Sequence, residues 1–153
     1  MADAARKLPR LMTVADFLDW PGDGTGTRYE LVDGVLRAIP LSGDTHGTVH
    51  CSVGARIGNH LETARPSWRV VAMPNIQPRL RAKWNLRIAD LGVTHAPDRA
   101  GAIMLPEAVL LIEVLSPSNV QDTWSNIALY ASVPSVQEIL VVHSTVVKCE
   151  LLR

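Results

Sequence analysis

The chain has 153 residues, of which 47% are hydrophobic and 20% are charged, and its 15 acidic and 15 basic side chains balance. This composition is typical of one globular domain, and the even charge excludes nucleic-acid binding by net charge alone but leaves a local patch open. Cys51 and Cys149, far apart in the chain, are too few for a disulfide framework or a zinc cluster. The sequence has no secretory leader and no apolar run that could span a bilayer, so we expect a cytoplasmic protein without membrane contact.

The first half of the chain predicts a short helix, a hairpin and a long helix. After an N-terminal arm over residues 1–12, Thr13 is placed to cap the short helix. Asp33-Gly34 is a two-residue turn signal between β-rich flanks and predicts a β-hairpin. The longest helical pattern lies within residues 41–65. Its apolar stripe consists of Val49, Val53, Ile57 and Leu61.

Strands dominate the second half. The patterns predict strands over residues 68–73, 86–94 and 108–115. The last of these is almost fully apolar, which is typical of a strand buried on both faces. Ser118 or Asn119 is placed to cap a second long helix, and two final strands follow. The order predicts a single α/β domain over residues 13–153, with a mixed central β-sheet flanked by helices.

Two acids interrupt these apolar strands. Glu113 stands inside the strand over residues 108–115, and Asp90 stands inside the predicted neighbour. An unpartnered buried carboxylate is costly, and two adjacent ones repel unless they share a proton or bind a cation. If the strands pair, both side chains enter one pocket, and their oxygens suit Mg²⁺ or Mn²⁺. The structural alternative is that Asp90 caps a loop and Glu113 pairs with an arginine.

Five sequence blocks resemble a known family. In chain order they are YELVDGVL, HGTVHCSVGARIGNHL, RIADLGVTHAP, LLIEVLSPSN and DTWSNIALYASVPSVQEILVV. Together they resemble the Uma2 (Uma-two) family of restriction endonuclease-like proteins, a branch of the PD-(D/E)XK nuclease fold. The resemblance covers the chain from about residue 12 to the end. It implies a restriction endonuclease-like core, Mg²⁺ or Mn²⁺ as cofactor, and hydrolysis of phosphodiester bonds in DNA.

The resemblance also implies roles for single residues. Asp90 matches the acid of the family's Pro-Asp motif, and Glu113 matches the acid of the (D/E)XK half. These two side chains and the carbonyl of Val114 would form the metal site. Glu30 matches a further characteristic acid of the catalytic site. His46 falls where the family has a histidine that opens the long helix, which makes it a supporting residue.

The motif lysine is replaced at both places where the family has it. Leu115 stands two residues after the acid, and Asn126 stands four residues before Tyr130. A lysine orients or deprotonates the attacking water, whereas asparagine positions water without a charge, and one such contact commonly contributes about 10²–10³ in rate. Two functions therefore remain open. One is a metal-dependent endonuclease in which Asn126 positions water, and the other is a weakened or inactive nuclease-fold module that binds nucleic acid or a protein partner.

Further basic and histidine residues are placed by spacing. Arg79, Arg81 and Lys83 would share one strand face as nucleic-acid contacts, although a solvated hairpin fits equally well. Lys83 or Arg87 could replace the motif lysine by reaching in from the strand before Asp90, but Arg87, three residues before that aspartate, is expected on the opposite face of a regular strand. The i, i+4 pair of His46 and His50 lacks a third zinc ligand, so His46 is expected at the acidic pocket and His50 at the surface.

The chain ends directly after a predicted strand, at Arg153, whereas members of the resembled family generally continue. A C-terminally truncated domain is therefore one alternative. An exposed sheet edge would then favour a homodimer as a second kind of partner beside DNA.

Overall fold

The computed structural model describes residues 11–153. Its helices are α1 (Val14–Leu18), α2 (Asp44–Ala64) and α3 (Val120–Tyr130), and a 3₁₀ turn spans Ala82–Trp84. The strands are β1 (Tyr29–Val32), β2 (Val35–Ala38), β3 (Arg69–Ala72), β4 (Asn75–Ile76), β5 (Arg87–Ile88), β6 (Leu91–Thr94), β7 (Ala108–Leu115), β8 (Glu138–His143) and β9 (Cys149–Leu152). Of the arm predicted over residues 1–12, residues 1–10 lie outside the described part. The Met12 amide donates to the Gly34 carbonyl at 2.8 Å and so already belongs to the fold.

A five-stranded mixed sheet with the order β3-β6-β7-β8-β9 forms the centre of the fold. β7 and β8 are parallel and are connected through α3, while the other neighbouring strands are antiparallel. The predicted α/β class with a mixed, helix-flanked sheet is confirmed. Within residues 11–153 no helix is both long and apolar enough to cross a membrane.

The two long helices cover opposite faces of the sheet. The predicted stripe of α2 packs against Leu91 and Ile112 on one face. On the other face, Ile127 and Tyr130 of α3 belong to the same core cluster as Leu111 of β7. Each fully buried aliphatic side chain contributes roughly 1.5–3 kcal/mol, so this burial fixes how β7 lies between the helices.

The hairpin β1–β2 forms at the predicted turn and packs beside the main sheet. Asp33 and Gly34 have φ angles of 51° and 83°, the left-handed conformation that a two-residue hairpin turn of this kind requires. Leu31 of β1 bridges to Leu86, and both belong to a small apolar cluster with Val14 of α1. The hairpin is therefore held over the point where the chain enters β5.

The strand predicted over residues 86–94 is broken. Residues 87–88 pair with β4, residues 91–94 pair with β3 and β7, and Ala89 and Asp90 form the step between the two sheets. The Asp90 carbonyl accepts from the Met73 amide at 2.8 Å, and the Ala89 amide donates to the Pro74 carbonyl at 3.2 Å. The break frees the Asp90 side chain from the strict alternation of a regular strand.

The predicted basic strand face over residues 79–83 is wrong. Arg81 has a left-handed φ of 53° and leads into the 3₁₀ turn, so alternate residues do not share a face. Arg81 pairs with Asp33 at 3.0 Å, and the Lys83 ammonium lies 4.9 Å from the centre of the Trp84 ring. The prolines and the turn thus replace a strand with an irregular loop.

Candidate active site

A cleft opens where the break between β5 and β6, the end of β7 and the first turns of α2 and α3 meet. Its polar lining includes Glu30, Arg37, His46, Asp90, Glu113, Asn119, Asp122 and Asn126. Five side chains are proposed from the sequence for the catalytic and supporting roles, namely Glu30, His46, Asp90, Glu113 and Asn126. All five line this cleft. The fold therefore brings together residues that are far apart in the chain.

Asp90 and Glu113 lie side by side at the floor of the cleft. β6 and β7 pair Leu91 with Ile112, and continuing that register sets Asp90 opposite Glu113. Asp90 is anchored to β7 because its Oδ2 accepts from the Val114 amide at 2.6 Å. This oxygen therefore binds a strand amide and does not cap a loop, as the structural alternative had it, while Oδ1 faces His46 of α2.

Glu113 is a buried acid with an unsatisfied oxygen. The residue is 5% exposed, and its Oε1 has no hydrogen-bond partner among the described residues. Burial, and then the neighbouring Asp90 carboxylate, raise the pKa of Glu113 well above its ordinary value. Within residues 11–153 no arginine pairs with it, so the structural alternative of a Glu113–arginine ion pair is wrong.

Two histidines of α2 contact Asp90. His46 Nε2 lies 3.1 Å from Asp90 Oδ1, and His50 Nε2 lies 2.8 Å from the Asp90 carbonyl. A carbonyl only accepts, so His50 donates from Nε2. His46 faces the acidic pocket as expected. His50 does not lie at the surface, because one turn of helix carries both rings to the same residue.

Asn126 is buried against an arginine. The amide is 6% exposed, and its Oδ1 accepts from Arg87 Nη1 at 3.1 Å. Asn126 also acts on the neighbouring Glu113 as a donor does, because it lowers the pKa that burial raises. The expectation that Arg87 faces away from the site is wrong, since the break at Ala89–Asp90 removes the regular alternation on which it depended.

Glu30 lies at the wall of the cleft and is already neutralised. Its Oε1 accepts from Arg37 Nε at 2.7 Å, and Arg37 also bridges to Asp122 on α3. Its Oε2 accepts from the Ile88 amide at 3.3 Å. A carboxylate with these partners joins β1, β2 and β5, which is a structural contribution rather than that of a free base.

The Val114 carbonyl, proposed from sequence as a metal ligand, is held by a residue that the sequence analysis treated only as a helix cap. Asn119 is the N-cap of α3 but makes no capping hydrogen bond with its side chain. Instead its Nδ2 donates to the Val114 carbonyl at 3.1 Å, and its Oδ1 accepts from the Ser116 amide at 2.7 Å. The position of this asparagine in the SPSN turn, directly after β7, is the only sequence signal for that contact.

The cationic residues proposed for nucleic-acid contact lie outside the cleft lining. Arg79, Arg81 and Lys83 are exposed on the loop before β5. Lys148, the other lysine that the structure describes, directly precedes β9. Its Nζ lies 2.9 Å from Glu150 Oε1. Neither described lysine therefore stands in the cleft, as the sequence departures predicted.

The donor set fits a hard divalent ion that keeps much of its water. Within the described residues no three histidine, cysteine or acidic side chains lie close enough together to hold a metal ion by themselves. Asp90 and Glu113 line the cleft with carboxylate oxygens, whereas Val114 does not line it, and Mg²⁺ is commonly bound by one or two carboxylates with several waters. The unpartnered Glu113 Oε1 is the observation that favours a missing ligand here.

Comparison with known proteins places this geometry in a class. A solved structure from Anabaena variabilis, described as "a putative nuclease belonging to DUF820", superposes with a TM-score of 0.68 at 16% identity, over 92% of this chain and 84% of that one. That likeness shows that the two chains share a fold. A Synechocystis sp. PCC 6803 protein, "Uncharacterized protein slr1290", is 26% identical over 138 residues, which is 89% of this chain and 70% of that protein.

The family model described as "Uma2: Putative restriction endonuclease" matches residues 14–153. The chain therefore belongs to the Uma2 family, and the resemblance drawn from the five sequence blocks is confirmed.

Proposed function

We propose that this protein is a divalent-metal-dependent endonuclease that hydrolyses phosphodiester bonds in DNA. The observation that carries the proposal is the buried, unpartnered Oε1 of Glu113 beside Asp90, at the floor of an open cleft. A buried carboxylate beside a second acid is stable at neutral pH only if it is protonated or lies next to a cation. Membership of a family described as putative restriction endonucleases favours the cation.

Asp90, Glu113 and the Val114 carbonyl would hold Mg²⁺ or Mn²⁺. Such an ion lowers the pKa of bound water and stabilises negative charge on a phosphate. His46 keeps Asp90 Oδ1 directed into the cleft. Asn126 would hold the attacking water beside Glu113, in the place where relatives carry lysine.

DNA contacts outside the cleft belong to the same proposal. Arg79, Arg81 and Lys83 are exposed, so they can reach phosphates without forming part of the metal site. Their removal would weaken binding and its salt dependence, while leaving the cleavage step on bound DNA intact. The cytoplasmic location and the homodimer expected from sequence stay predictions.

One observation favours a second candidate, a nuclease-fold module that binds nucleic acid or a protein partner without turnover. Both described lysines lie away from the cleft, and Asn126 contributes no charge of its own. The absence of one charged contact slows a reaction by about 10²–10³-fold. A site that lacks it would therefore cleave slowly or only bind.

Nicking of supercoiled plasmid with Mg²⁺ or Mn²⁺ tests the proposal. The wild type and Glu62→Ala, which removes an exposed acid on α2, are expected to nick the plasmid. Asp90→Ala and Glu113→Ala are expected to lose nicking while still melting cooperatively. A wild type that folds and retains DNA in a shift assay without nicking it would favour the binding module, and nicking by Glu113→Ala would reject the assigned site.

A further inference from the structure

A line of buried polar side chains runs from the β1–β2 turn to the cleft. Asn85 is fully buried, and its Oδ1 accepts from the Asp33 amide at 3.0 Å. The same Oδ1 also accepts hydrogen bonds from Arg87 Nε at 3.3 Å and from Arg87 Nη2 at 3.1 Å. Arg87 Nη1 then donates to Asn126 Oδ1 at 3.1 Å. The first and last steps join elements that are distant in sequence, and Asn85 and Arg87 are two residues apart, so the line connects the hairpin to α3.

A guanidinium in this position determines which way the Asn126 amide faces. Arginine carries only donors, so the Asn126 atom turned toward Arg87 must be the oxygen. The Nδ2 group is then turned away from Arg87, and Asn126 lines the cleft. Without such a partner, the two ends of an asparagine amide can exchange places by rotation of the side chain, and the oxygen could face the acid instead.

Arg87 is also an expensive residue to bury. It is 2% exposed, and burial lowers its pKa while Glu30, with Oε1 3.9 Å from Nη1, raises it. A buried cation without a full salt bridge costs free energy of folding unless its hydrogen bonds compensate. An arginine in this setting suggests a use beyond packing.

We propose that Arg87 is a positioning residue that acts through Asn126, fixing the amide so that its Nδ2 donor faces away from the guanidinium and toward the cleft. The inference rests on the proposed endonuclease function. Arg87 does not line the cleft, so its effect reaches the reacting atoms only through the amide. Asn126, held in this way, stands at one of the two positions where the motif lysine is replaced.

Single-turnover cleavage by wild type, Arg87→Met, Asn126→Ala and the double variant tests the kinetic part. Removing an outer partner of this type typically lowers activity about 10–100-fold. Because Arg87 acts through Asn126, the double variant should be no slower than Asn126→Ala, with the KM for DNA unchanged throughout. Arg56→Met, at an exposed position on α2, is the matched control and should cleave as the wild type does. Additive losses, or a loss confined to KM, would overturn the proposal.

A readout independent of activity separates this inference from the proposed function. The side-chain amide signals of Asn126 in ¹⁵N–¹H spectra should shift in Arg87→Met and stay unchanged in Arg56→Met. If the wild type cleaves no DNA but this shift is present, the contact stands and the endonuclease proposal fails. If the signals stay unchanged, Arg87 does not hold the amide and the inference is wrong. Should Arg87→Met fail to melt cooperatively, Arg87→Lys replaces it. Its ammonium can still donate to the Asn126 oxygen, so its cleavage rate should lie between those of the wild type and Asn126→Ala, and a rate below that of Asn126→Ala would overturn the proposal.

Discussion

Asp90 is tied to β7, the strand that carries Glu113, by a short hydrogen bond of 2.6 Å from the Val114 amide to Asp90 Oδ2. The chain has just left β5 at this point and has not yet entered β6, so the acid sits at a step between two sheets. The contact commits one carboxylate oxygen to the protein and leaves Oδ1 to His46 and the cleft. The two acids face the same side because Asp90 stands opposite Glu113 when the antiparallel register of β6 and β7 is continued.

Glu113→Gln should stabilise the metal-free protein, and increasingly so as pH rises. The pKa of Glu113 in the folded protein lies well above its value in the unfolded chain. The contribution of neutral Glu113 to the free energy of unfolding is therefore fully present below the unfolded pKa of about 4–4.5 and is lost as pH rises through the folded pKa. Glutamine is always neutral and avoids this loss. Each kcal/mol corresponds to about 2–4 °C in Tm for a chain of this length.

Thermal melts without divalent ions, over about pH 5–8, measure this difference. The Tm gain of Glu113→Gln over wild type should grow with pH, while Glu62→Gln, an exposed control on α2, should show no such trend. A gain that does not change with pH would mean that Glu113 titrates normally in the folded protein.

Asn126→Lys should raise the rate of metal-dependent cleavage. The position lines the cleft, so an ammonium there can act on water and phosphate. We expect a gain of about 10²-fold, the lower end of what one such contact supplies, because Asn126 already positions water. Unchanged single-turnover rates with normal metal binding would show that the missing charge does not limit the reaction.

Leu115→Lys should not substitute for that variant. Leu115 is 8% exposed and belongs to the apolar cluster that includes Ile127 and Tyr130. An ammonium buried there has no partner, so we expect loss of a cooperative melt rather than faster cleavage. Faster cleavage by a folded Leu115→Lys would show that this position opens to the cleft.

Glu30→Gln should lower stability more than it lowers metal binding. Glu30 accepts from Arg37 and Ile88 and lies near the buried Arg87. Weakening these contacts should cost about 1–3 kcal/mol in the free energy of unfolding, measured by urea titration. Mn²⁺ affinity should stay close to that of the wild type. A selective loss of Mn²⁺ with normal stability would instead make Glu30 a ligand.

The sequence predicted those parts of the fold that depend on local patterns. The Asp33-Gly34 turn, the α2 stripe from Val49 to Leu61 and the apolar β7 each carry their signal within a few residues. Glu113 could be singled out for the same reason, since an acid within an apolar strand is conspicuous at short range.

The features that the sequence could not predict all depend on long-range pairing. Residues 86–94 have a continuous strand pattern, and only competition between β4 and the main sheet breaks it at Asp90. That break decides where Arg87 points. Asn85 and Asn119 are polar residues beside turns, and nothing local distinguishes an asparagine that caps a helix from one that holds a carbonyl or an arginine.

Titration of Mn²⁺ into the metal-free protein by calorimetry tests the central claim, that Asp90 and Glu113 form a divalent-cation site. We predict that wild type and Glu62→Gln bind Mn²⁺ with the same affinity, that binding strengthens as pH rises because Glu113 must lose its proton, and that Asp90→Asn and Glu113→Gln abolish it. Equal Mn²⁺ affinity in Glu113→Gln and wild type would contradict the account.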